Sequence, residues 1–170
     1  VSTFVSSQVL NVAVSYNVAA NKTLICYQAN GLNNEGKTFV ATVSGTSISF
    51  GAISQFAVYV NDQSVSATYD VAEQKTIISF ADQGNGSYGT SIAATVTGTT
   101  ATYGTALVFN SGSTAFTSSA YSTTSNRIAV AYKDLPNNNQ GAANSLVLTD
   151  ALIIGTDYFV ENDGSLSTTS

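Results

Sequence analysis

Histidine, methionine and tryptophan are absent from this chain, and it carries one proline and one cysteine. Without histidine, Ser-His-Asp and Cys-His catalytic arrangements are excluded, together with imidazole-ligated metals. A single cysteine excludes an intrachain disulfide and a thiolate metal cluster, so cysteine usage does not reveal the compartment. The missing methionine includes the initiator, which reads as a processed chain or a segment of something longer. Charge is scarce too, at 9% of residues against about 25% in ordinary domains. Four lysines, one arginine and a net charge of −5 leave too little positive charge to neutralise phosphates, so no nucleic-acid partner is expected. No apolar run approaches the roughly 18 residues of a membrane span and no basic signal-peptide region is visible, so no membrane insertion is expected.

The polar surface therefore has to be serine, threonine, asparagine, glutamine and glycine, a composition common in extracellular and virion proteins. Four acids, Asp150, Asp157, Glu161 and Asp163, fall late in the chain and read as solvated loop residues. The lone Cys26 sits in the apolar run Leu24-Ile25-Cys26-Tyr27 and reads as a small buried hydrophobe.

A repeat organises the rest. Tyr16, Tyr69 and Tyr121 are separated by 53 and then 52 positions (69 − 16, 121 − 69). Lys22, Lys75 and Arg127 keep the same two offsets, as do Tyr27, Phe80 and Tyr132, and Gly36, Gly89 and Gly141. A period near fifty residues means stacked supersecondary units. Each unit reads as four short strands. The first alternates, with Val12, Val14 and Tyr16 matched by Val65, Ala67 and Tyr69, then Thr117, Ser119 and Tyr121, and is expected to be half buried. A turn opened by Asn17, Asp70 or Ser122, whose side chains can bond the backbone two residues on, leads to the repeated cation.

The second strand (23–27, 76–80, 128–132) is continuously apolar, which predicts burial on both faces. A nine-residue polar loop then reaches the repeated glycine. Strand three alternates again through Phe39, Ala41 and Val43, or Ile92, Ala94 and Val96, or Asn144, Leu146 and Leu148. Tight turns at Gly45 and Gly98 lead to strand four. Connections this short permit antiparallel pairing alone.

The expected fold is thus all-β, a propeller-like stack of four-stranded antiparallel units, with a β-trefoil or β-sandwich as the alternative. The expected boundaries are an arm or preceding-unit remnant at 1–8, repeats at 9–60 and 61–112, an incomplete repeat at 113–150, and a terminal hairpin, cap and tail at 151–170. In that last segment Asn162-Asp163-Gly164 has hairpin-turn chemistry.

The stretches Ala67-Thr68-Tyr69-Asp70, Lys75-Thr76-Ile77-Ile78-Ser79-Phe80-Ala81-Asp82 and Gly84-Asn85-Gly86-Ser87-Tyr88-Gly89-Thr90-Ser91-Ile92 carry a resemblance, with Val43 to Gly51 and Leu107-Val108-Phe109. The chain resembles tandem repeats of tail-fibre and other virion proteins of aquatic bacteriophages. Its ending, Gly155 to Val160 and Asp163 to Thr168, resembles a short module near the ends of phage structural proteins. Together these cover nearly the whole chain. The first copy departs by having Gln28-Ala29 where the others have an aspartate, and the third departs in its fourth strand. The resemblance implies a virion or extracellular location, with other copies of the chain or other virion proteins as partners and host-surface glycans as ligands.

Chemistry has few footholds. Gly84-Asn85-Gly86-Ser87-Tyr88-Gly89 lacks the strand-to-helix context of a phosphate loop and reads as turn glycines. Arg127 is alone where a sialidase would need several arginines. Asp82 and Asp134 could form a glycoside-hydrolase pair, but equivalent repeat positions are symmetric whereas acid and base need different environments. Asp82-Gln83-Gly84-Asn85-Gly86 offers too few oxygens for calcium. Asn21-Lys22-Thr23 and Asn85-Gly86-Ser87 fit the glycosylation acceptor pattern, which such composition produces by chance. The repeated tyrosines read as inter-strand packing.

No enzyme activity, metal or cofactor is therefore expected. The expected function is a virion structural and adhesive module whose loop surface, Asn33, Asn34, Asp82, Asn85, Tyr88, Asp134, Asn137 and Asn138, meets glycans. The alternatives are a self-assembling structural subunit and, third, a glycan hydrolase.

Overall fold

Runs of β-branched and aromatic residues broken by Asn- and Gly-bearing turns fold here as strands throughout. The structure, a computed structural model, describes residues 2–31, 33–61, 64–149, 151–155, 158–160 and 166–167. In the first unit β1 (Val9–Asn17), β2 (Lys22–Ala29), β3 (Gly36–Ser44) and β4 (Ser47–Phe50) form an antiparallel meander. A fifth strand, β5 (Ser54–Ala57), pairs with the other half of β3. The second unit repeats this with β6 (Ser66–Asp70), β7 (Lys75–Asp82), β8 (Tyr88–Thr97) and β9 (Thr100–Tyr103). Next, β10 (Leu107–Ser122) starts as the fifth strand against β8 and ends as the first strand of the third unit against β11 (Arg127–Asp134). Then come β12 (Gln140–Leu148), β13 (Leu152–Ile154), β14 (Tyr158–Val160) and β15 (Leu166–Ser167). The fold is all-β and antiparallel, as the repeat pattern predicts.

The third unit reaches past the boundary expected at 150. Its fourth strand is β13, which pairs with β12 from Leu148↔Leu152 to Leu146↔Ile154. Gly155 N then donates to Ser145 O, as Gly51 N does to Val40 O and Gly104 N to Ala93 O. The turn glycines Gly45 and Gly98 have no counterpart before β13, where position 150 is aspartate, so the sequence pattern does not mark this strand. The expected hairpin turn at Asn162-Asp163-Gly164 and the acids Asp150, Asp157, Glu161 and Asp163 lie outside the described residues.

The first turn of each unit has one more residue in its hydrogen-bonded ring than expected. Asn17 Oδ1 accepts from Ala20 N, Asp70 Oδ1 from Glu73 N and Ser122 Oγ from Ser125 N, each three residues on. The next residues, Asn21, Gln74 and Asn126, take left-handed φ of 51°, 55° and 52°. Asparagine tolerates that region better than most side chains. Tyr16 and Tyr121 steady it by donating their hydroxyls to Asn21 Oδ1 and Asn126 Oδ1.

The three sheets pack face to face in a row. Leu24, Cys26 and Val40 of the first sheet meet Ile78, Phe80 and Ile92 of the second in one core. On the far side of the second sheet, Ile77 and Ala93 meet Val130, Tyr132 and Leu146 of the third. This explains why β7 is buried on both faces, from Thr76 to Ala81. β2 is buried from Leu24 to Gln28 as well, and there Phe4 packs on Tyr27 from the outer side. The same expectation fails for β11, whose Ile128, Val130 and Tyr132 are buried while Ala129 and Ala131 are exposed. Its outer face has no sheet against it among the described residues.

The first strand fails in the opposite sense. Val12, Val14 and Tyr16 are expected to face a core, yet they are 46%, 59% and 52% exposed. Strand three is also less regular than expected: Val40 is buried beside Phe39 and Ala41, and Val43 is exposed.

A column missed in the sequence locks the row together. Phe4, Phe56 and Phe109 are spaced by 52 and 53 positions (56 − 4, 109 − 56). The Phe56 ring centroid lies 5.2 Å from Phe80, and Phe109 lies 5.2 Å from Tyr132. Phe4 lies 5.6 Å from Tyr27 and 5.8 Å from Phe39. Each ring thus plugs the repeated aromatic of the sheet that follows it. The repeated glycine makes room for the plug: a Cβ on Gly36 would sit 2.5 Å from the Phe56 ring, and one on Gly89 would run into Phe109.

Buried protonated groups add a pH dependence. Burial pushes the Cys26 thiol far above its ordinary value near 9. Burial also pushes the Tyr103 phenol up to about 12, opposed by its 2.6 Å hydrogen bond with Thr38 Oγ1. In alkali the unfolded chain releases these protons while the folded one retains them, so stability falls as pH rises. It should be flat with respect to these groups below about pH 9 and decline between about 9 and 12. Urea midpoints against pH will show this, and Cys26→Val should remove the first part of the decline.

Candidate functional site

The polar loops follow β2, β7 and β11, at residues 30–35, 83–87 and 135–139. They are shorter than expected because the strands extend to Ala29, Asp82 and Asp134 before the chain turns. The segments joining one sheet to the next thread between them. Val60 N donates to Asn34 O at 3.0 Å and Gln83 N to Tyr59 O at 3.2 Å. One unit along, Thr114 N donates to Ser87 O at 2.8 Å and Leu135 N to Ser113 O at 3.0 Å. These backbone bonds line the three loops up on one edge of the row, with a groove at each junction.

The first groove, of about 290 Å³, is lined by Asn33, Asn34, Tyr59, Gln83 and Gly84. Tyr59 is 41% exposed, and its ring lies close enough to Gly84 that a Cβ there would approach it to 3.1 Å. The second, of about 240 Å³, has Asn110, Ser111, Asp134, Asn137 and Gln140 around its mouth. Its floor is tied down where Tyr132 donates to Asn144 Oδ1 and Asn144 Nδ2 donates to the Phe109 carbonyl at 2.6 Å. Asp134 Oδ1 is buried and has no donor partner among the described residues.

Of the residues expected at the site, Asn33 and Asn34 enter the first groove and Asp134 and Asn137 the second. Asp82 turns inward on its own loop, accepting from Gly84 N at the start of the 3₁₀ turn Gln83–Asn85. Asn85 is exposed beyond the first groove, and Tyr88 packs its ring beside Gly86. Asn34 and Asn138 hold φ of 47° and 53°, so both shape their loops. Tyr59, Gln83, Asn110 and Gln140 were missed. A signal for Tyr59 exists: the residue that makes its backbone bond one unit on is Ser113, so the fold does not require that ring.

Among the described residues no three histidine, cysteine, aspartate or glutamate side chains gather where they could share a metal. Neutral amides, hydroxyls and an aromatic face, with the Asp134 carboxylate in the second groove, are what the grooves offer, a set that hydrogen-bonds and stacks on uncharged polar ligands. No protein-family model, curated protein or solved structure matches this chain.

Proposed function

We propose that this chain is a structural and adhesive module of a virion surface appendage, a rigid β row whose loop edge contacts host-surface glycans. The observation that carries the reading is the alignment of successive loops into two amide-lined grooves, one of them with an exposed tyrosine. Amides meet sugar hydroxyls without the desolvation cost of charges, and a tyrosine ring offers its face to the apolar side of a pyranose. The resemblance to tail-fibre repeats supports the virion setting. Purified chain should bind host-surface polysaccharide, and Tyr59→Ala or Asn33→Ala should weaken binding by about tenfold with thermal stability unchanged. Undiminished binding by both variants, once folding is verified, would discard the first groove as the adhesive surface.

A self-assembling structural subunit is the second reading. The exposed aliphatic face of β1 favours it.

A further inference from the structure

The two ends of the row carry opposite halves of the contact already made twice inside it. At the first end, Val12, Val14, Tyr16 and Val43 lie exposed on one face of the first sheet. Register places them together: Val12 opposes Tyr27, Val14 opposes Ile25 and Tyr16 opposes Thr23, while Ile25 opposes Phe39, which lies four residues before Val43. Their counterparts in the second sheet, Val65, Ala67, Tyr69 and Val96, are not exposed. Val65, Ala67 and Val96 pack into the core shared with the first sheet.

The tyrosines mark the geometry of that contact. Tyr69 OH accepts from Ala19 N, in the first turn of the preceding sheet, at 3.2 Å. Tyr121 OH accepts from Ala72 N, in the same turn of the second sheet, at 3.3 Å. Tyr16 is the third member of the column and donates to Asn21 as Tyr121 does to Asn126. The amide that continues the series is Thr124 N, since 72 − 19 is 53 and 124 − 72 is 52. It belongs to the third sheet, at the opposite end of the row.

The outer face of that third sheet carries small and apolar side chains between Arg127 and Lys133 of β11. Ala129 and Ala131 are exposed, Ile153 is 48% exposed opposite Val147, and Phe116 is 55% exposed beneath Lys133. We infer that the β1 face of one copy of this chain docks on the outer face of the third sheet of a second copy. Val12 and Val14 seat over Ala129 and Ala131, and Tyr16 accepts from the partner copy's turn at Thr124. The joint reproduces the internal one, which is why a second copy is the occupant: both surfaces lie on this chain and repeat a contact it already forms. Because the surfaces differ, the contact is head-to-tail, and it either closes a ring or extends a filament.

Sedimentation and electron microscopy over a rising concentration series test this directly. Mass should grow with concentration, into either a ring of fixed size or rods advancing by about 30 Å per copy, three sheets at roughly 10 Å each. Val14→Asp and Ala131→Arg alter exposed positions, so both should fold, and each alone should remain monomeric. Mixed together they should form a dimer and nothing larger, because each keeps the surface the other has lost. A monomer at every concentration overturns the proposal. So does continued dimerisation of Ala131→Arg alone, which would mean that two β1 faces meet. Neither outcome touches glycan binding, which uses the loop edge.

Discussion

Phe56→Ala should lower unfolding free energy by about 3–5 kcal/mol, a large share of what a domain this size possesses. The ring is buried, packs edge-on against Phe80 and lies 6.3 Å from Tyr103, so its removal opens a hole in the core that joins the first two sheets. Its strand β5 pairs with the first sheet while its side chain plugs the second, so the two sheets lose their lock together. Gly36 supplies the control. Gly36→Ala alone should destabilise by about 1–3 kcal/mol, because the new methyl enters the Phe56 ring at 2.5 Å. In the Phe56→Ala background the same change should cost less, since the ring has gone and Val60 Cγ2, 2.8 Å from the new methyl, is the obstacle that remains. Chemical denaturation of the four proteins measures the coupling, and simple additivity would refute the plug.

The repeat made the strand count, the antiparallel pairing and the position of each turn legible, because period-two patterns and turn glycines are local chemistry. What stayed hidden depends on neighbours. Ile128-Ala129-Val130-Ala131-Tyr132 has the same apolar density as Leu24 to Tyr27, yet only every second residue of β11 is buried. The distinction lies in what covers the outer face, Phe4 over Tyr27 and Phe39 in the first sheet and nothing comparable among the described residues over Ala129 and Ala131, and alanine is compatible with either state. Val12 and Val14 show the converse, a core-like pattern left at the surface. The phenylalanine column was overlooked because its first member, Phe4, precedes the first full unit.

The site was legible in part for a related reason. Asparagines at 33, 34 and 137 signalled polar loops, and those loops do line the grooves. The grooves themselves form between units, where the joining segments insert Tyr59 and Asn110. No single loop encodes such a junction. Asp82 and Asp134 illustrate the cost of reasoning by equivalence: one carboxylate closes its own turn, while the other lines a groove. The same column of the repeat has been put to two uses.

Gly51 and Gly104 make that lesson quantitative. They close the fourth strand of successive sheets and make the same backbone bond, to Val40 O at 2.8 Å and to Ala93 O at 2.9 Å. Neither needs a left-handed φ, so alanine is conformationally permitted at both. Their surroundings differ. A Cβ on Gly51 runs into the Thr99 carbonyl, with Thr99 Cβ at 2.8 Å, where the turn of the second sheet backs onto the first. The nearest atom to a Cβ on Gly104 is Ala93 O at 3.9 Å. Gly51→Ala should therefore destabilise by about 1–3 kcal/mol, because the seam between two sheets must shift. Gly104→Ala should be neutral or stabilise by up to about 1 kcal/mol, through the lower entropy of its unfolded chain. Trimming the neighbour separates a backbone obstacle from a side-chain one. Thr99→Ala should leave the Gly51→Ala penalty in place, since the carbonyl remains, whereas Phe56→Ala should reduce the Gly36→Ala penalty to what Val60 Cγ2 imposes. Equal penalties at Gly51 and Gly104 would mean that the first two sheets do not meet at this turn.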